Sequence, residues 1–155
     1  MDTLRLDSAH RPAGVGIAAA PSSDRMGKPE RPQVGTIAWR DLTVTNADAV
    51  RDFYANVVGW KVEPVDMGGY SDYSMLPPGG KEPEAGVCHK RGSNAKLPSQ
   101  WLMYVVVEDI AASLQQCSKL GGKQLTPVSA LGDGVFCVIE DPAGAVCALY
   151  QVGPA

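Results

Sequence analysis

The sequence predicts an α+β fold made of two tandem β-α-β-β-β modules. Three observations carry that prediction. An apolar strand followed by an amphipathic helix occurs twice, first in "TIAWRDLTV" with "DAVRDFYANVVGW" and again in "WLMYVVVED" with "IAASLQQCSKLGG". Each helix is followed by three strand-like runs set apart by turns rich in Gly and Pro. The join, "RGSNAKLPSQ", is polar and carries a proline, as a linker does. Neither half, at about 55 residues, buries enough apolar area alone, so the two are expected to close against each other.

In the first module, Thr36 to Val44 reads as a strand with Ile37, Trp39, Asp41 and Thr43 on one face and Ala38, Arg40, Leu42 and Val44 on the other. A large aromatic beside a carboxylate is not the usual content of one strand face. Thr45 or Asn46 is placed to cap the helix, with Asp48 completing a capping box. Val50, Phe53, Tyr54 and Val57 form its expected buried stripe, and Gly59 ends it. The strands "WKVEPVDM", "YSDYSML" and "EAGVCHK" follow. In the second module the strand "WLMYVVVED" leads to a helix with Ile110, Leu114, Cys117 and Leu120 on one side, ending at Gly121 and Gly122. "KQLTPVSAL", "GVFCVIE" and "AVCALYQV" are its remaining strands, the last two joined by Asp141-Pro142-Ala143-Gly144.

The 155 residues fit one ordinary domain, expected over residues 34–152 with modules at 34–90 and 100–152 and a linker at 91–99. Residues 1–33 mix Pro, Gly, Ser and scattered charge without a period and are expected to be a disordered lead. "GVGIAAAP" is too short for an export signal, and Met26 is a plausible alternative start. A net charge of −3 argues against nucleic acid or an anionic membrane as partner. No apolar run approaches the ~20 residues that span a bilayer. Cys88, Cys117, Cys137 and Cys147 lack CxxC spacing, and Cys137 and Cys147 are expected out of register and on opposite faces of their hairpin. Reduced thiols and a cytoplasmic setting follow.

"DAVRDFYANVVGW" after the first strand and "DPAGAVCALYQ" at the end, within a duplicated β-α-β-β-β unit, resemble the vicinal oxygen chelate superfamily, which holds glyoxalases, bleomycin-resistance proteins and extradiol dioxygenases. The resemblance implies a mixed sheet curved into a cup with the helices outside. In metal-using members, ligands stand on the first and last strands of each half. Here those positions hold Trp39, Gly86, Leu102 and Ala148, none of which is a metal donor. No cofactor is expected, and a divalent metal only with non-standard ligands, such as His89 with Asp41 or Asp72.

The resemblance also implies a cup lined by Trp39, Asp41 and Thr43, by Leu102, Tyr104 and Val106, and by Val146, Ala148 and Tyr150, with Gly86 and Ala148 leaving room. Trp39, Tyr73, Cys88 and Tyr104 are the candidate substrate-binding residues, Tyr73 leaning into the cup. Asp41 and His89 are the candidate catalytic groups, while Cys88 and His89 point to opposite faces. Three functions stay open: an enzyme with acid–base groups among Asp41, Tyr104, Cys88 and His89 acting on a small carbonyl compound, a non-enzymatic binder of bleomycin-resistance type, and a metal enzyme with displaced ligands. The expected partner is a small molecule. Exposed sheet edges make a homodimer plausible.

Overall fold

The computed structural model describes residues 30–154, so the expected lead lies almost wholly outside the described residues, as does Met26. The first module contains β1 (Ile37–Val44), α1 (Ala47–Val58), β2 (Lys61–Asp66), β3 (Ser71–Leu76) and β4 (Ala85–His89). A short 3-10 turn, Gly92–Asn94, lies in the linker. The second module contains β5 (Trp101–Val107), α2 (Ile110–Lys119), β6 (Lys123–Gln124), β7 (Ser129–Leu131), β8 (Gly134–Glu140) and β9 (Val146–Gln151). The expected sixth strand, "KQLTPVSAL", is therefore two short strands. Pro127 has no N–H to give the ladder, and Thr126 breaks the pattern by accepting the Val138 amide on its hydroxyl at 2.9 Å.

All nine strands join one mixed sheet in the order β2-β3-β4-β1-β5-β9-β8-β6, with β7 also on β8. The duplication is visible in the register. β1 runs parallel to β4 with Asp41 opposite Gly86, and β5 runs parallel to β9 with Tyr104 opposite Ala148. The modules meet where β1 and β5 pair antiparallel, Trp39 opposite Tyr104 and Asp41 opposite Leu102. The sheet curls, because Val65 on the far edge strand packs into one cluster with Trp39, Leu102, Tyr104, Phe136, Val138 and Ala148.

Both helices cover the outer face. Under α1 lie Leu42, Val44, Tyr73, Met75 and Val87. The stripe it buries is Ala47, Val50 and Tyr54, while Phe53 and Val57 are 55% and 65% exposed, against expectation. The Tyr54 ring fills the space between Trp60 and Trp101, and Phe53 meets only the outer edge of Tyr54, centroids 5.1 Å apart. The capping box is likewise missing: Asn46 makes no side-chain cap, and the Asp48 carboxylate turns to the Tyr73 hydroxyl. Gly59 does end the helix, at φ 82°.

α2 is capped by Asp109, which accepts the Ala112 amide at 3.0 Å, and packs through Ile110 on Cys137 and Leu149. Leu120 falls past its last turn and is exposed. Cys137 pairs with Leu149, and Cys147 with Ile139. The two thiols are out of register as expected, but they share one face, since Cys147 and Leu149 are two residues apart on the same strand. No helix among the described residues is long and apolar enough to cross a membrane.

Candidate functional site

The concave face is assembled by strand alternation. β1 turns Trp39, Asp41 and Thr43 inward, and all three are buried. Between β4 and β5, Asp41 lies opposite Gly86 on one side and Leu102 on the other. A Cβ at position 86 would fall 2.2 Å from Asp41 Oδ1, so the glycine makes the space that this carboxyl occupies. Gly86 thus leaves room for a group of the protein itself, rather than for a ligand as expected.

Asp41 Oδ1 accepts the Trp39 indole N–H at 2.6 Å, and Oδ2, equally buried, has no hydrogen-bond partner. Burial pushes the acid up to about 7, against the opposing pull of Trp39 and the Tyr104 hydroxyl, with Asp72 adding a smaller upward push. The Tyr104 phenol is in turn driven upward by burial and by Asp41. Its ring lies 5.8 Å from that of Phe136. Leu97 from the linker and Leu131 from β7 complete the apolar wall. A carboxyl in such a place, half-ionised near neutral pH, has the chemistry of a general acid or base.

Cys88 also faces inward and is fully buried. Its thiol is held well above the ordinary range by burial, then by Asp41 and Asp72. The expected site residues otherwise divide into two groups. Tyr73 shares its face with Met75, against α1, so it does not line the cup as expected. A period-two strand that puts Ser74 opposite Gly86 must put Tyr73 on the reverse side. His89 ends β4 on that same outer side and does not meet Asp41. Its ring Nδ1 lies 3.1 Å from Asp72 Oδ1, and Nε2 lies 3.6 Å from Asp48 Oδ1.

Asp72 connects the groups. Its Oδ1 accepts the His89 backbone amide at 2.8 Å besides the ring contact, while the carboxyl acts on Asp41 and Cys88. Outside it, Asp48 is held below the usual carboxylate range chiefly by the Tyr73 hydroxyl, with His89, Arg51 and Arg91 assisting. Arg51 stacks over Tyr73 at 4.4 Å and Arg91 over Tyr70 at 4.2 Å. The sequence considered Asp72 only as a stand-in metal ligand and missed Phe136. The alternation of "GVFCVIE" separates Phe136 and Val138 from Val135, Cys137 and Ile139, and was the available signal for Phe136.

The residues do not fit the metal of metal-using relatives. Trp39, Leu102, Gly86 and Ala148 do converge on the concave face, but they offer no imidazole, thiolate or carboxylate. Among the described residues no group of three or more His, Cys, Asp or Glu side chains is placed to hold a metal. Of the displaced sets, His89 and Asp41 lie on opposite faces, whereas His89 and Asp72 do meet, Nδ1 to Oδ1 at 3.1 Å, as a pair that no third such side chain completes among the described residues.

This sequence and fold have relatives. The profile of the glyoxalase-like domain family matches residues 39–150. CFP32 of Mycobacterium bovis, named as a candidate glyoxylase, is 33% identical over 120 residues, 76% of this chain and 46% of its own length. A glyoxylase-like domain-containing protein of Didymella fabae is 30% identical over 121 residues, 73% of this chain and 93% of its own. The anthracycline biosynthesis protein DnrV of Streptomyces peucetius is 29% identical over 131 residues, 77% of this chain and 48% of its own. The chain spans about half the length of CFP32 and DnrV. A crystal structure of a hypothetical protein from Bacillus halodurans shares the fold at TM-score 0.52 and 13% identity, covering 79% of this chain and 98% of the other. The chain belongs to the glyoxalase-like domain family, within the superfamily that its sequence resembles.

Proposed function

We propose that this protein binds a small carbonyl-bearing organic molecule on its concave face, through Trp39, Tyr104 and the Asp41 carboxyl, without the metal site of its metal-using relatives. The observation that carries this is the buried Asp41 Oδ2 with no hydrogen-bond partner. A buried carboxyl oxygen left unpaired is destabilising, and a native fold that keeps one calls for a reason, such as a catalytic role or a group that binds there. The apolar wall of Trp39, Tyr104, Phe136 and Leu102 supplies the contact area, and Asp41 the orienting polar group. The name of DnrV makes a polycyclic aromatic ketone the first probe.

The test is isothermal titration of the full chain with anthrone, with Asp41→Leu as control. Saturable one-site binding that Asp41→Leu abolishes supports the assignment, and equal binding to the variant removes Asp41 from the site. Capture without turnover is the second reading, favoured by His89 lying on the outer side, away from Asp41. Mass analysis of the bound ketone after prolonged incubation separates the two: an unchanged mass marks a binder.

A further inference from the structure

Two carboxyl groups are buried on or beside the concave face, Asp41 at 1% and Asp72 at 3% exposure. Their surroundings differ in a way that sorts charge between them. Asp72 Oδ1 accepts the His89 backbone N–H at 2.8 Å and lies 3.1 Å from the ring Nδ1, which adds a second hydrogen bond in the tautomer that carries its proton there. Asp41 has the Trp39 indole on Oδ1 and the Tyr104 hydroxyl as a second donor acting on the carboxyl, while Oδ2 has no partner at hydrogen-bond distance. The titratable groups that act on Asp41 are Tyr104 from β5, Cys88 from β4 and Asp72 from β3, and none of them is a cation. An ionised Asp41 would be acceptor-only, leaving Oδ2 bare and adding a second negative charge near Asp72. A neutral Asp41 carries its proton on Oδ2, because Oδ1 is already an acceptor, and points an O–H donor into the site.

We propose that Asp41 meets its ligand as a neutral carboxylic acid, that Asp72 and His89 are positioning residues keeping the negative charge of the pair on Asp72, and that the ligand is therefore a neutral hydrogen-bond acceptor such as a ketone, quinone or lactone rather than an amine. This rests on the reading that the concave face takes a small molecule. Burial, which pushes Asp41 up to about 7, acts in the same direction.

Carboxyl-carbon NMR of the full chain labelled at aspartate, with Asp41 assigned through Asp41→Asn, reads the acid directly. The expected result is a protonated Asp41 at pH 6 with a midpoint near 7. Asp72→Asn should move that midpoint down, and so should His89→Ala, which loosens the hold on the Asp72 charge. A midpoint in the ordinary carboxylate range in the intact chain, or one indifferent to both variants, overturns the assignment. The ligand class is tested at pH 6 with anthrone against 9-anthracenylmethylamine, a cation on a similar ring system. Anthrone should bind at least ~10-fold tighter, the order of one buried hydrogen bond. Asp41→Asn, which keeps an N–H donor, should retain anthrone binding and lose its pH dependence. A tighter amine overturns the proposal. Binding of neither probe removes the small-molecule reading, while the NMR midpoint still decides the state of Asp41.

Discussion

Replacing Gly86 with alanine tests the geometry of the buried carboxyl directly. The added methyl would sit 2.2 Å from Asp41 Oδ1, 3.4 Å from its Cγ and 3.7 Å from Cys88 Sγ. The carboxyl has little freedom to withdraw, because Oδ1 is held by Trp39 Nε1 at 2.6 Å. Overpacking of this kind costs ~1–3 kcal/mol. If Asp41 rotates away instead, the indole N–H is left unpaired, at a similar cost of ~1–3 kcal/mol. The entropy benefit of alanine over glycine in the unfolded chain offsets only ~0.4–1 kcal/mol. The net expectation is a loss of about 2 kcal/mol, or roughly 1 M in urea midpoint for a slope near 2 kcal/mol/M. Urea unfolding followed by tryptophan fluorescence measures it. In Gly86→Ala combined with Asp41→Ala the obstructing carboxyl is gone, so the double variant should recover ~1–2 kcal/mol relative to the sum of the singles. Parental stability in Gly86→Ala, or simple additivity in the double variant, would refute the placement of Asp41 over Gly86.

Further expectations follow from the same site. Asp41 is raised from 3.8 to about 7 in the fold, so the folded state binds the extra proton between those values and stability falls as pH rises through that window. Three units at 1.36 kcal/mol each make the loss about 4 kcal/mol, and Asp41→Asn should flatten it in urea titrations from pH 4 to 8. Trp39→Phe removes a donor that favours the anion, so the Asp41 midpoint should move higher still in carboxyl NMR. Tyr73→Phe should raise Asp48 toward its usual carboxylate value and leave anthrone binding unchanged, because Tyr73 faces α1; weakened binding would put it back in the cup.

Much of the fold was legible because periodicity alone specifies it. Two strand–helix starts, glycine helix stops and the Asp141–Gly144 turn all depend on residues close in sequence, and the strands fall where their alternation puts them. The errors sit where a neighbouring element decides between local options. Phe53 and Val57 satisfy a helical stripe as well as Val50 and Tyr54 do, and only the bulk of Trp60 and Trp101 selects the latter pair. Asp48 at N-terminal spacing suits a capping box until the Tyr73 hydroxyl, 25 residues away, competes for it. Cys137 and Cys147 could be assigned to faces only once the hairpin register was set.

The candidate site follows the same division. By itself the sequence determined which residues share the inner face of β1, for which a period of two suffices, and it put Trp39, Gly86, Leu102 and Ala148 at the positions that the resemblance assigns to ligands. That the Asp41 carboxyl lies over Gly86, that Trp39 and Tyr104 close on it, and that Asp72 meets His89 were decided only by tertiary structure. Those facts depend on pairing between strands about 45 and 60 residues apart, and on burial, which sets the proton affinity of Asp41 and is a property of the closed sheet rather than of any segment.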